Sequence, residues 1–163
     1  MSKEIERKFL IKKLAKGIKK GKTKVDIEQF YTVIMHAFEE RMRKATTNGV
    51  TVYTCTTKTG NGLIREEKET ETDSASWEDN RARKVGNLIK KTRYLIPWGN
   101  YTGELDVYES PENLCTLEIE FPNEFEAKRF TIDRYSAIGE VKEVTGNKSY
   151  SNKNLAQNGG EFI

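Results

Sequence analysis

The stretch Thr116-Leu117-Glu118-Ile119-Glu120-Phe121 decides the fold. Apolar and acidic residues alternate with period two. An extended strand therefore sets Glu118 and Glu120 on one face and Leu117, Ile119 and Phe121 on the other. The same alternation recurs at Glu104-Leu105-Asp106-Val107. In the opening segment Glu4, Glu6 and Lys8 share a face opposite Ile5, Arg7 and Phe9. Cations are paired likewise: Arg41 with Arg43, and Lys91 with Arg93, while Lys58 ends its own segment. Arg65, Glu67 and Glu69 line one face of another. Nearly every strand thus has one charged face and one apolar face.

Turn signals separate these segments at Thr47-Asn48-Gly49, Thr59-Gly60-Asn61-Gly62, Trp98-Gly99-Asn100 and Ser110-Pro111-Glu112-Asn113. The spacing predicts eight strands, near 4–11, 25–33, 38–45, 50–58, 63–70, 89–97, 101–109 and 116–121. A helix is expected over 76–88, with Ser74 or Ser76 as N-cap, and a second short helical stretch over 136–141. The fold class is α+β, mainly β. The lysine- and glycine-rich segment 12–24 reads as a mobile loop, and the polar residues from Asn152 onward as a frayed end.

A chain of 163 residues fits one domain. Its 28 basic and 25 acidic residues nearly cancel, so bulk charge does not mark a nucleic-acid binder and the arrangement of charge must decide. Cys55 and Cys115 match no CxxC spacing and read as buried thiols. The N-terminal MSKEIERKF lacks the apolar core of a signal peptide and no stretch is long enough to span a bilayer, so a cytoplasmic location is expected.

A solvated strand face gains from mixing signs, because like charges side by side repel. This chain segregates them. Carboxylates gather on the first, seventh and eighth strands, and guanidinium and ammonium groups on the third, fourth and sixth. If the strands close into an antiparallel barrel with the charged faces inward, one wall is acidic and another cationic. Neither is stable in a confined space without counter-charge. Carboxylate oxygens suit Mg²⁺ or Mn²⁺, and arginine forks and lysines suit phosphate oxygens. A phosphate chain chelating a metal satisfies both walls.

The motifs that carry these charges resemble, in order, those of the triphosphate tunnel metalloenzyme (CYTH) superfamily. Glu4-Ile5-Glu6-Arg7-Lys8 resembles its ExExK and Ile27-Glu28-Gln29-Phe30-Tyr31 its IxQxY. Arg41-Met42-Arg43 resembles RxR, Thr57-Lys58 the strand-four lysine, and Arg65-Glu66-Glu67-Lys68-Glu69 RxExE. Lys91-Thr92-Arg93-Tyr94 resembles KxRY, and Glu104-Leu105-Asp106 and Glu118-Ile119-Glu120 the ExD and final ExE. Glu143-Val144-Thr145 and Tyr150-Ser151-Asn152 are similar to its closing segment, from which the chain departs with Asn147 where an acid is common, leaving Lys148 without an assigned place.

The resemblance implies an eight-stranded antiparallel β-barrel tunnel with a few flanking helices, over residues 1–155, followed by a polar tail, 156–163. It implies a metal-dependent triphosphatase acting on inorganic triphosphate or an organic or nucleoside triphosphate. Glu4, Glu6, Glu118 and Glu120, with Glu104, would hold Mg²⁺ or Mn²⁺. Lys8, Arg41, Arg43, Lys58, Arg65, Lys91 and Arg93 would bind phosphate. Lys8, Glu67, Glu69 and Asp106 would act at the reacting end: Lys8 would neutralise charge, while Glu67, Glu69 and Asp106, with Glu104, would line the floor, bind a second metal or orient water. The alternatives are a class IV adenylyl cyclase and a non-catalytic binder of polyphosphate or nucleotide. The expected partner is a triphosphate-containing small molecule, with no membrane and no nucleic acid beyond a 5′-triphosphate end. The expected state is a monomer or homodimer.

Three further features receive structural readings. His36, the single histidine, reads as a loop residue, since nothing places a nucleophile beside it. Trp77 is expected to pack on the barrel exterior. The lysines of segment 12–24 read as a solvated loop that steers anions.

Overall fold

The computed structural model describes residues 5–60 and 66–159. Eight long strands follow in chain order. They are β1 (Glu6–Leu14), β2 (Thr23–Ile34), β3 (Phe38–Thr47), β4 (Val50–Thr59), β5 (Glu66–Thr72), β6 (Val85–Trp98), β7 (Tyr101–Ser110) and β8 (Cys115–Glu120). Helix α1 (Ser74–Arg81) lies between β5 and β6 and helix α2 (Glu124–Arg129) follows β8. A short hairpin, β9 (Tyr135–Ser136) and β10 (Gly139–Glu143), comes next. A single 3-10 turn (Lys148–Tyr150) then leads into α3 (Asn152–Asn158).

All ten strands form one antiparallel sheet in the order β5-β4-β3-β2-β6-β7-β8-β1-β10-β9. The ladder is not closed: β5 and β9 are its edges. The sheet nonetheless wraps around an interior lined by residues from all eight long strands. It is a mainly β, barrel-like tunnel with a seam.

The apolar core lies on the outside of this wrap. Phe9, Ile96, Leu105, Leu117 and Ile119 project away from the interior and are buried under Phe121, Ala127 of α2 and Ile138 and Val141 of the β9–β10 hairpin. On the neighbouring sector Phe30 and Met42 are covered by Trp77 of α1, whose ring stands 4.7 Å from Phe30 and 5.9 Å from Tyr53. Trp77 thus packs on the exterior, as the sequence suggests. Burying one such large side chain stabilises the fold by about 1.5–3 kcal/mol.

Several elements differ from the sequence reading. Helix α1 ends at Arg81 and not near 88, because β6 starts at Val85 to pair Val85 with Tyr31. Its N-cap is Asp73, whose carboxylate accepts from Ser76 N at 2.8 Å. The stretch 136–141 is a hairpin and not a helix; Gly139 pairs with both Ser136 and Leu14, so sheet bonding wins over local helical preference. Segment 12–24 is anchored rather than free: Ala15 N donates to Ile138 O at 2.9 Å, and Leu14 and Ile18 pack against the outer core. Cys55 and Cys115 are free and only half-buried.

The C-terminal segment is helical rather than frayed. Ser151 caps α3 by accepting from Asn154 N at 3.1 Å. Leu155 and Ala156 are fully buried against Tyr31, Ile89, Tyr108 and Leu114. Gly86 makes this docking possible. Its φ is +79°, and a Cβ there would lie 2.4 Å from the Ala156 carbonyl oxygen. Gly86→Ala is therefore expected to destabilise the protein by at least ~1–2 kcal/mol from the left-handed backbone alone, and more if α3 is pushed off. A urea titration followed by circular dichroism measures the loss; an unchanged midpoint would show that α3 is not seated on β6.

Candidate functional site

The interior is a polar cavity of about 590 Å³. The strand alternation read from the sequence points the charged faces into it. Glu6 and Lys8 of β1, Glu118 and Glu120 of β8 and Glu104 of β7 line one side. Arg41 and Arg43 of β3, Lys58 of β4 and Arg93 of β6 line the other, and Glu67 and Glu69 of β5 also face in. Eleven of the residues singled out in the sequence thus come together. Glu4 and Arg65 lie outside the described residues.

Lys91 and Asp106 do not line the cavity. Both side chains are wholly buried, with Lys91 Nζ 2.8 Å from Asp106 Oδ2. Asp106 also accepts from Arg93, at 2.8 Å from Nε and 3.0 Å from Nη2. Burial alone would raise the Asp106 carboxyl, but Lys91 and Arg93 outweigh it and hold the group down at about 2. Burial pushes the Lys91 ammonium down to about 8 against the pull of Asp106. These two residues form a buried charged support on the inward face beside Arg93, whose guanidinium also reaches Glu104, its second carboxylate partner.

The cationic side is held in the same manner. Arg43 donates from Nε and Nη2 to Gln29 Oε1 at 3.0 and 2.9 Å. Burial, then Arg41 and Arg93, lower its pKa to about 10, so it stays protonated at neutral pH. Arg41 reaches Thr56 Oγ1 at 3.5 Å, which donates to Glu69 at 3.3 Å. Arg41 Nε is buried without a hydrogen-bond partner among the described residues. Such a donor costs about 1–3 kcal/mol unless an acceptor arrives.

On the acidic side the strand register places Glu6 opposite Glu120, and Glu104 opposite Glu118. Like charges directly opposite repel. Burial raises the Glu104 carboxyl, with Arg93 opposing. Burial would raise Glu118 too, but Lys8 and Lys91 bring it below the ordinary range. Lys8 Nζ lies 3.3 Å from Glu118 and donates to Tyr150 O at 2.5 Å. The opposed oxygen donors fit a hard divalent cation. Among the described residues no three such groups converge as a preformed metal cluster.

The strand that carries Glu6 and Lys8 is clamped from outside. Arg7 pairs with Glu143 through two contacts of 2.8 Å and donates to the carbonyls of Ala127 and Phe130, at 2.7 and 2.6 Å. Thr145 Oγ1 accepts from Lys8 N at 3.0 Å.

Residues without a site role in the sequence reading complete the cavity. Tyr31 and Glu39 line it, as do Lys148, Ser151, Asn152 and Lys153 from the C-terminal segment. Lys153 Nζ is 3.7 Å from Glu39. Tyr31, Ser151 and Asn152 fall within motifs quoted from the sequence without a site role; Lys153 was illegible because α3 reaches the cavity only through tertiary docking, and the signal available was the apolar Leu155-Ala156 pair inside a polar end. His36 sits exposed in the β2–β3 turn, away from the cavity, as expected of a loop residue.

Asp106 thus has a structural role that the sequence could not separate from a catalytic one. Asp106→Asn leaves Lys91 buried without its counter-charge and is expected to cost about 3–5 kcal/mol. The sign with pH follows from its depressed pKa. The stability contributed by Asp106 is complete above its ordinary value of 3.8 and is lost as pH falls toward about 2. Urea midpoints of wild type and variant at neutral and acid pH measure both effects; the difference between the two proteins should shrink across that window.

Comparison with known proteins agrees with this geometry. No family model matches the chain. An inorganic triphosphatase from Nitrosomonas europaea is 36% identical over 159 residues, covering 94% of this chain and 96% of that protein. The crystal structure of the inorganic triphosphatase NE1496 superposes with a TM-score of 0.69 at 31% identity, over 96% of this chain and 95% of that one. The PH1819 protein from Pyrococcus horikoshii OT3 shares the fold at a TM-score of 0.56 and 19% identity, over 85% of this chain and 93% of that one. With its in-facing charged strands and a near full-length relative of this similarity, the chain belongs to the triphosphate tunnel metalloenzyme (CYTH) superfamily.

Proposed function

We propose that this protein hydrolyses the terminal phosphoanhydride of inorganic triphosphate, giving pyrophosphate and phosphate. The observation that carries the reading is the cationic wall. Arg41, Arg43, Lys58 and Arg93, with Lys8 on the opposite side, face one enclosed space, and Arg41 Nε there has no hydrogen-bond acceptor among the described residues. A phosphate chain supplies acceptors and negative charge together. The near full-length similarity to an inorganic triphosphatase supports the same substrate.

Glu6, Glu118 and Glu120, with Glu4, would hold Mg²⁺ or Mn²⁺, and Glu104 stands beside them. The ion, when bound, polarises phosphoryl oxygens and neutralises their charge. The protein's own part is mainly positioning and electrostatics, which phosphoryl transfer chiefly demands. Arg41, Arg43 and Arg93 bind non-bridging oxygens along the chain. Lys8, already held by Tyr150 O and Glu118, fixes the position of one phosphoryl group. Glu67 and Glu69 face the cavity from β5 and orient the attacking water.

The test is a panel of inorganic triphosphate, ATP, thiamine triphosphate and 5′-triphosphorylated RNA with either metal, reading phosphate, pyrophosphate and cyclic AMP separately. Inorganic triphosphate should turn over fastest, and chelation should abolish activity. Glu118→Gln is expected to lower kcat by about two to three decades, the size of one electrostatic contribution in an active site. Wild-type turnover in both Glu118→Gln and Glu120→Gln would remove the metal assignment. Cyclic AMP from ATP without triphosphate hydrolysis would replace the hydrolase with a cyclase.

A further inference from the structure

The segment from Lys12 to Lys24 holds seven lysines and no acidic residue, while the remainder of the chain has more acids than bases. Lys12 and Lys13 end β1, where Lys13 stands opposite Glu140, and the crossing that follows runs on the outer side of the sheet. β1 and β2 are consecutive in sequence but four strands apart in the sheet, so the connection must cross β8, β7 and β6. It does so over the convex face. Leu14 and Ile18 turn inward onto the outer core, and Lys19 Nζ lies 5.8 Å above the Tyr94 ring. Lys20 N donates to Gly17 O at 3.1 Å and Lys22 N to Lys19 O at 3.3 Å, which gives the crossing a defined path.

Lys12, Lys13, Lys16 and Lys20 are exposed, and none of the seven lysines forms an ion pair with a described acid. None of them lines the cavity. The connection spans four inter-strand gaps, roughly 19 Å, and so forms a narrow cationic track.

From this track we infer a second anion site, on the outer face, for linear inorganic polyphosphate. Three features select that partner. The segment holds no aromatic side chain on which a nucleobase could stack. Its two larger apolar residues, Leu14 and Ile18, are committed to the core, so none is left to anchor it in a lipid surface. Ammonium groups strung along a line meet a flexible single chain of phosphates at every step, whereas a rigid duplex would touch the line at one place. A chain held outside raises the local concentration of phosphate termini near the cavity. The choice of polyphosphate rests on the proposed triphosphatase reading; the existence of an anion site does not.

The test compares wild type with a variant carrying Lys12→Gln, Lys13→Gln, Lys16→Gln and Lys20→Gln, and with one carrying arginine at the same four positions. Binding of long-chain polyphosphate is measured against salt concentration by fluorescence anisotropy, with duplex DNA of equal total charge as the second probe. Triphosphate turnover is measured in parallel. The glutamine variant should bind polyphosphate at least about tenfold more weakly, with its log–log salt slope reduced by up to about 3, near 0.7 for each lost phosphate contact. The arginine variant should bind as wild type, and triphosphate kcat should be unchanged in all three. Equal polyphosphate affinity in wild type and glutamine variant would overturn the site, as would tighter binding of duplex DNA than of polyphosphate. Loss of triphosphate turnover in wild type would instead overturn the proposed function and leave the binding result standing.

Discussion

Asp106 balances two cations at once. Lys91 lies 2.8 Å from one of its oxygens and Arg93 donates to both, and neither Lys91 nor Asp106 retains any exposure. Two strands of the wall, β6 and β7, are joined by this cluster, and the position of Arg93 in the cavity follows from it. Removing charges from water is costly, and a buried cluster persists only where attraction and hydrogen bonding recover that cost. The rest of the interior obeys the same rule with fewer partners. Lys8 leans on Glu118, Arg43 on Gln29, and Arg41 keeps one donor without an acceptor among the described residues.

A charged interior displaces the hydrophobic core. In this fold the greasy residues lie on the convex face and need separate covers: α1 over Phe30 and Met42, and α2 with the β9–β10 hairpin over Phe9, Leu105 and Ile119. The covers also serve the site. Arg7, on the outer face of β1, ties the end of α2 and Glu143 of β10 to the strand whose inner face bears Glu6 and Lys8. Packing outside thereby sets geometry inside. The third cover, α3, differs in that it packs against the inner end of the wrap and adds its own polar residues to the cavity.

Dense charge of both signs in one enclosed space is what suits this cavity to a small, highly charged ligand. On the proposed reading, the cationic side would meet a phosphate chain and the opposed carboxylates a divalent cation.

Alternation along each strand determined much of this protein by itself. A residue two positions from a carboxylate in β8 or a guanidinium in β3 must share its face, so Glu118 with Glu120 and Arg41 with Arg43 were legible as pairs, and their sign segregation pointed to an enclosed site. The sequence could not say which member of a charged row would reach the cavity. Lys91 and Arg93 are equivalent by period and both meet Asp106, yet only Arg93 lines the cavity; Lys91 is buried over Tyr108, in the sector that α3 closes. Nor could local pattern reveal α3 as a cavity element, the hairpin in place of a helix at 136–141, or the course of the lysine-rich crossing. Each of these depends on partners distant in the chain: Tyr31 and Ile89 for Leu155, Leu14 for Gly139, and the outer core for Ile18. Local periodicity dictates which way a side chain points within its own strand, whereas only tertiary packing decides how deep it lies and what it meets.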